Sequence, residues 1–343
     1  MEPIRDKYGR GFRTLRVSLL NHCNLGCVYC VTAEEDGRSS HGGDRGGSGA
    51  AAAAGAAAAA GGAAAIAKST ALTTPHLLEI IGRLHEQLGL DTVRLTGGEP
   101  LLYHGLVELI GGIRAIGIPQ IKLTTNGFLL ERLAGPLKKA GMGSINVSLD
   151  AIEEEVYARM SRRHSVGRII RGIDAAVEAG LAVKINTVVM KGMNDSQILP
   201  LLEFAFARDL RIRFLEVMAM GHLHDQSDRY LLSQGEILRV IAGRYELQPL
   251  DRASSATARY WKTDGGHAVG IIANESEPFC GDCDRLRLDS NGNIYGCLSS
   301  NHPIPLDRAE SGEEWHEKLQ QALAQKQSLR FIGSDLSMLY IGG

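Results

Sequence analysis

Leu15-Arg-Val-Ser-Leu-Leu-Asn-His-Cys23-Asn-Leu-Gly-Cys27-Val-Tyr-Cys30 is the stretch on which the reading of the chain turns. It joins a β-rich run, Leu15–Leu20, directly to three cysteines at C-x3-C-x2-C spacing. Three soft thiolates so close together suit an iron–sulfur cluster. A cubane cluster has four irons, so a triad of cysteines leaves one iron open to a small chelating molecule. Zinc is the alternative, but structural zinc normally takes four ligands, and the local candidate for a fourth, His22, sits beside Cys23 at a spacing unusual for zinc.

Outward from this stretch, further β-rich runs alternate with helical patterns: Thr92–Thr96, Ile121–Thr125, Ser144–Leu149, Val183–Met190 and Arg211–Met218. That rhythm marks βα units and a parallel sheet. Six such strands predict an α/β fold, an incomplete (β/α)6 TIM-type barrel over residues 1–221. A representative helix is expected with Thr74 as N-cap, Pro75 at the first helical position, and an apolar stripe of Leu77, Leu78, Ile81, Leu84 and Leu88.

Two regions break the rhythm. His41–Ala65 is almost all Ala and Gly, with no apolar face, and is expected to be a flexible or marginally helical insertion. From residue 222 to 343 the alternation fades, which predicts a C-terminal α+β layer. Here a second triad appears, Cys280-Gly-Asp-Cys283 followed by Cys297. A β-hairpin of Leu286–Ser290 and Asn293–Cys297, turning at Asn291-Gly292, would pair Ser290 with Asn293 and return Cys297 opposite Leu286, beside Cys283. Zinc is again possible, with His267 and His302 as poor fourth ligands. Arg285 and Arg287 alternate on one strand face and suit a polyphosphate. Arg16, Arg94, Lys184 and Arg213 lie at strand starts or ends that a barrel would gather, while a G-x-x-x-x-G-K-[ST] phosphate loop is absent.

Composition sets the limits. With 343 residues and a formal charge of −2, the chain can bury a substantial core but carries no basic field for nucleic acid or an acidic membrane surface. Met1–Arg16 lacks the apolar stretch of a secretory signal, and the uncharged Gly46–Ala67 lacks the Leu, Ile and Phe that favour membrane insertion. All six cysteines fall in the two triads. In a reducing cytosol such groups are more often metal sites than disulfides, and a cytoplasmic location is expected.

The first triad, following an initial strand and with the aromatic Tyr29 just before Cys30, resembles the radical S-adenosylmethionine (SAM) superfamily. Thr96-Gly97-Gly98-Glu99-Pro100 is similar to the superfamily's second signature, whose glycines would admit a ligand to the backbone and whose carboxylate would meet the SAM amino group. The resemblance implies that Tyr29, Gly98, Ser148 and Met218 contact SAM, and that reductive cleavage of SAM yields a 5′-deoxyadenosyl radical.

With the second triad included, nearly the whole chain resembles the GTP 3′,8-cyclase family of lyases, which open molybdenum cofactor biosynthesis. The resemblance implies two [4Fe–4S] clusters and a GTP site of Arg16, Arg94, Thr124, Lys184, Arg285, Leu286 and Arg287. It also implies a reactive Gly342-Gly343 tail, a reducing electron donor and product hand-off to cyclic pyranopterin monophosphate synthase by a monomer or homodimer. Gly26, Thr92 and Val31-Thr32 depart from the family pattern of Arg, Lys and an apolar-Pro pair. Two readings compete with it. A peptide- or protein-modifying radical SAM enzyme with one auxiliary cluster would usually carry more C-terminal cysteines, and a metal-binding interaction module leaves the Gly-Gly-Glu-Pro loop and the arginine pair unexplained.

Overall fold

The computed structural model describes residues 4–39 and 72–342. The Ala/Gly-rich segment and Gly343 lie outside the described residues. Six parallel strands appear where the apolar runs place them: β1 (Thr14–Ser18), β2 (Thr92–Thr96), β3 (Gln120–Thr125), β4 (Ser144–Ser148), β5 (Ala182–Val189) and β6 (Arg211–Glu216). The residues beyond them add β7 (Leu247–Pro249), β8 (Arg259–Thr263), β9 (Ala268–Ile272), β10 (Arg285–Leu288), β11 (Asn293–Tyr295) and β12 (Ile304–Pro305). One sheet runs β12-β11-β10-β1-β2-β3-β4-β5-β6-β9-β8-β7. The C-terminal part thus extends both edges of the barrel sheet, through β9 parallel to β6 and β10 parallel to β1.

The helices are α1 (Ala33–Ser39), α2 (Thr74–Leu88), α3 (Leu106–Ile116), α4 (Leu130–Ala140), α5 (Glu154–Ser161), α6 (Val166–Glu178), α7 (Ile198–Phe206), α8 (Ser227–Tyr230), α9 (Gln234–Ala242), α10 (Gly312–Ala324) and α11 (Met338–Ile341). Their apolar stripes, such as Leu77, Ile81 and Leu84 of α2, share one core with Leu15, Val17, Val93, Leu95 and Leu123 of the strands. In α2 the N-cap is Thr73, one residue earlier than expected, and Ile80 rather than Leu78 completes the buried stripe. Thr74 is diverted because its hydroxyl bonds Tyr103 Oη at 3.0 Å.

Strand alternation sends every second residue to the opposite face. With the aliphatic residues packed against helices, Arg16, Arg94, Thr124, Asn146, Asn186 and Arg213 are left to line the lumen.

The hairpin register differs from expectation by one residue. Leu288 pairs with Ile294 and Arg287 with Tyr295, which aligns Cys297 with Arg285 instead of Leu286. Asp289 is the cause: its carboxylate accepts from the backbone N–H of Asn291 and Asn293, both at 2.9 Å, and Gly292 takes φ +81°. A three-residue loop closed by a left-handed glycine therefore replaces the two-residue turn.

Candidate functional site

Two cavities adjoin at the barrel mouth, sharing Thr124, Asn186, Leu215, Met218 and Met338 as lining. The first lies at the C-terminal ends of the strands, where barrels place their sites. Cys23, Cys27 and Cys30 line it from the loop after β1.

Main-chain pairing seats that loop. Beyond the last β1–β2 pair, Leu19 N–H donates to Thr96 O at 2.9 Å, Gly98 N–H to Leu20 O at 2.7 Å, and Glu99 N–H to His22 O at 3.0 Å. A Cβ on Gly98 would lie 1.8 Å from His22 O, so a side chain there would force the two loops apart. The glycine pair that the sequence assigned to ligand approach is thus required first by this seam. On the other side, Gly26 N–H donates to Ser161 O at 3.0 Å and Val28 N–H to Met160 O at 2.9 Å. Arg162 donates to the carbonyls of Gly26, Val31 and Thr32 at 2.7, 3.0 and 3.2 Å. The Gly26 departure also has a steric counterpart: a Cβ there would sit 2.3 Å from the Asp36 carboxyl carbon, and Asp36 is held bidentately by Arg163 at 2.7 and 3.0 Å.

Tyr29, Gly98, Ser148 and Met218, the expected SAM contacts, all line this first cavity. Tyr29 Oη donates to Asp150 Oδ2 at 2.8 Å, and burial raises Asp150 to about 6 against the lowering effect of its hydrogen bonds. Glu99, whose carboxylate is expected to meet the SAM amino group, lines the same cavity. Its oxygens accept from Leu101 N–H at 2.9 Å, Thr125 Oγ1 at 2.6 Å and Asn126 N–H at 2.8 Å, so its first task is to lock the loops after β2 and β3 together. Burial nevertheless raises it to about 7. Burial pushes the thiols up as well, Cys23 to about 12 with Glu99 adding, and Cys30 to about 11 with Glu35 adding.

The second cavity continues into the lumen and is lined by Cys280, Cys283 and Cys297 together with Arg16, Arg94, Arg213, Arg285 and Arg287. Arg287, Arg16 and Arg94 are register partners on adjacent strands and form one row of guanidinium groups. Burial, then Arg287, Arg94 and Arg285, lowers Arg16 strongly; burial, then Arg213 and Arg285, lowers Arg94 to about 10, and burial, then Arg285, lowers Arg287 to about 10. Arg16 Nε and Arg213 Nε and Nη2 are buried without a protein hydrogen-bond partner. Stacked like charges with unspent donors are costly unless an anion completes them. Arg285 donates to Ser255 O at 2.7 Å and lies over Phe279 at 5.4 Å, while Arg287 donates to Gly342 O.

Of the other expected substrate residues, Thr124 lines both cavities. Lys184 lies on the lumen side of β5 outside the cavity lining, lowered to about 8 by burial and then by Arg213, Arg211, Lys122 and Arg94. The Leu286 side chain does not reach the site: alternation turns it away from Arg285 and Arg287 into the core, fully buried, so only its main chain can face a ligand. Met338 and Lys326 were not singled out in the sequence yet line the second cavity. Neither sits in a motif; both are delivered by chain reversals near the C-terminus.

Each triad therefore offers three unbridged thiols to one cavity, the donor set of a cluster with an open iron. His22, His267 and His302 line neither cavity. Among the described residues no three His, Cys, Asp or Glu side chains are arranged to hold a single metal ion. No helix of the described residues is long and apolar enough to cross a membrane.

Residues 17–205 match the radical SAM superfamily, and residues 210–331 match the Molybdenum Cofactor Synthesis C family. A GTP 3′,8-cyclase of Synechocystis sp. is 36% identical over 342 residues, covering 100% of this chain and 95% of the relative. One of Streptomyces coelicolor is 37% identical over 309 residues, covering 89% and 83%. Among solved structures, Streptococcus suis SuiB bound to S-adenosylmethionine superposes with a TM-score of 0.60 at 15% identity, over 92% of this chain and 68% of that one. anSMEcpe with bound AdoMet superposes with a TM-score of 0.56 at 13% identity, over 90% and 82%. At these identities the structural likenesses speak for the fold alone.

Proposed function

The chain belongs to the GTP 3′,8-cyclase family of the radical SAM superfamily, and on that premise we propose that it converts GTP to (8S)-3′,8-cyclo-7,8-dihydroguanosine 5′-triphosphate. As a radical SAM protein it works with SAM and an iron–sulfur cluster. The observation that carries the reading is the pair of adjoining cavities, one with a cysteine triad beside the Gly-Gly-Glu-Pro loop, the other with a second triad beside a row of arginines. Cys23, Cys27 and Cys30 would hold one [4Fe–4S] cluster, and Cys280, Cys283 and Cys297 a second. When bound, cluster and SAM supply the 5′-deoxyadenosyl radical that removes the ribose 3′-hydrogen, after which C3′ bonds to purine C8 and a one-electron reductant and a proton complete the product.

The protein's own residues bind, aim and shield. Arg16, Arg94, Arg285 and Arg287, with Arg213 and Lys184, give the triphosphate its countercharge in a site too dry for water to supply it. Tyr29, Gly98, Ser148 and the Met218 thioether frame SAM in the neighbouring cavity. Leu215, Met218 and Met338 form apolar walls common to both cavities, which keep bulk water from the carbon to be activated. The product would pass to cyclic pyranopterin monophosphate synthase.

The direct test is anaerobic incubation of the reconstituted chain with SAM, dithionite and GTP, followed by mass spectrometry of the nucleotide. A cyclised dihydro-GTP is expected. SAM turnover with GTP recovered intact would instead favour the peptide-modifying reading.

Two further results are expected. Arg285→Ala or Arg287→Ala should retain the iron and sulfide of both triads but weaken GTP binding at least about tenfold, because a charge-assisted phosphate contact contributes roughly 1.5–3 kcal/mol. Calorimetric titration with GTP checks this, and unchanged affinity in both variants would remove the arginines from the site.

Lys184 makes binding pH-dependent. A cation with a lowered pKa loses its charge as pH rises through about 8, so GTP affinity should decline above that pH and level off below it. Lys184→Arg should flatten the profile, since a guanidinium keeps its proton throughout. An unchanged slope in that variant would assign the dependence elsewhere.

A further inference from the structure

We infer that Lys326 is an outer hydrogen-bond donor to the C-terminal cluster, orienting the Cys283 sulfur and raising the cluster's reduction potential. The inference rests on the proposed two-cluster reading. Lys326 is only 3% exposed, and its Nζ donates to Cys283 Sγ at 3.3 Å and to Arg285 O. The ammonium also lies 4.9 Å from the Phe12 ring centroid. Among the described residues no carboxylate comes within ion-pair distance of it. An ammonium buried this deeply is expensive unless a negative charge compensates it. The Arg285 carbonyl does not provide that charge. Thiolates bound to a cluster do, and Lys326 lines the cavity that all three C-terminal cysteines line.

The lysine is delivered by rigid elements. Helix α10 buries Trp315, Leu319, Ala322 and Leu323 in the core, and Lys326 follows it with its N–H bonded to Leu323 O at 3.2 Å. The same helix end holds the strand that leads to Cys297: Gln325 Oε1 accepts from Gly296 N–H at 2.9 Å, and Gly296 packs so closely that a Cβ would lie 1.7 Å from Ala322 O. One short segment thus fixes the approach to Cys297 through the Gln325 side chain and the Ala322 carbonyl, and the Cys283 sulfur by charge. The N-terminal triad has the carboxylates of Glu99, Asp150 and Glu35 and the Arg163 guanidinium as charged neighbours, but its sulfurs are met by Leu25 N–H and Asn126 Nδ2, so among the described residues a cation hydrogen-bonded to a triad sulfur belongs to the second triad.

A positive charge bonded to a ligand thiolate favours the reduced, more negative cluster, and hydrogen bonds to the sulfurs are established determinants of cluster potential. Lys326 is therefore a positioning residue whose removal should move a potential as well as a rate.

The test uses the full chain with Cys23, Cys27 and Cys30 replaced by alanine, so that the C-terminal cluster is read alone. Iron and sulfide are assayed, and the reduced cluster is followed by electron paramagnetic resonance in an anaerobic redox titration. Against this background Lys326→Met, which keeps the length and loses the charge, should lower the reduced-to-oxidised ratio at fixed potential at least about tenfold, a shift of ~59 mV for one electron. Lys326→Arg should lie within about threefold of the lysine form, roughly half that shift on the same scale. Lys326→Gln, a neutral donor, should fall between them. Should Lys326→Met fail to assemble a cluster, the glutamine and arginine variants carry the comparison. Full cluster content with an unshifted potential in both Met and Gln variants overturns the inference while leaving the second cluster standing. Absence of iron and sulfide from the background protein overturns the two-cluster reading and the inference with it.

Discussion

Cys27→Ala is expected to abolish SAM cleavage while leaving a folded chain that still binds GTP. The two outcomes separate because sulfur and main chain do different work in the first triad. The loop is held by backbone bonds, with the N–H groups of Cys30 and Val31 donating to Cys27 O at 2.9 and 3.1 Å, and by the three carbonyl contacts of Arg162. Alanine preserves all of these. What it removes is one of three thiols in a cavity lined by no other cysteine, and a cluster with two protein thiolates is neither retained nor correctly aimed at SAM. Iron and sulfide should fall to about half, the share of the second triad. Formation of 5′-deoxyadenosine should drop at least about a thousandfold, equivalent to ~4 kcal/mol of barrier. GTP affinity should hold within about threefold, well under 1 kcal/mol, because the arginines lie in the other cavity. Chromatography of the deoxyadenosine product checks the central claim. Stoichiometric zinc without acid-labile sulfide in the unmutated, anaerobically reconstituted chain would defeat it at the root.

Much of this site was legible before the structure because its chemistry is local. C-x3-C-x2-C spacing puts three thiols within eight residues, and β-branched runs such as Thr92–Thr96 and Val183–Val189 declare buried parallel strands. Strand periodicity also predicted that Arg285 and Arg287 share a face. The same rule, applied one residue further, turns the Leu286 side chain into the core and leaves only its main chain for the GTP contact that the family resemblance implies. What escaped depends on tertiary context. Strand β9, Ala-Val-Gly-Ile-Ile, follows the turn signal Asp264-Gly265-Gly266, but residues 217–267 separate it from its parallel partner β6 and nothing local announces the pairing. The hairpin register turned on whether Asp289 would capture backbone N–H groups, a competition between side chain and ladder that composition does not settle. Glu99 was assigned to the SAM amino group by its place in the Gly-Gly-Glu-Pro signature, which gives no sign that three protein donors also hold its carboxylate. Lys326 had no motif at all and gained its meaning from a sulfur 43 residues away in sequence.

The tail carries the other large expected effect. Removing Gly342 and Gly343 should preserve both clusters, GTP binding and some unproductive SAM cleavage, yet lower cyclised product at least about a hundredfold, ~2.7 kcal/mol of barrier. Composition alone favours a frayed end, since terminal glycines are costly to order and bury no side chain. The structure describes the tail as far as Gly342, and up to there it is tied down. Ser337 Oγ donates to Cys30 O at 2.7 Å, Met338 lines both cavities, and Gly342 O accepts from Arg287. Helix α11 thus spans from the loop of the first triad to the arginine row of the second. At its end Gly342 takes φ +75°, and a Cβ there would lie 2.6 Å from Thr96 Cγ2. Glycine is needed at this point for both conformation and space. Gly342→Ala should therefore reproduce much of the truncation without shortening the chain. Because the arginine it engages belongs to the proposed triphosphate site, loss of the tail is expected to leave GTP bound but no longer held against the activated carbon. Measuring deoxyadenosine and cyclised nucleotide in the same reaction separates the alternatives. A ratio of SAM cleaved to product formed that rises steeply on truncation supports the assignment, and a ratio equal to that of the full chain would make the tail a fastening for α11 and nothing more.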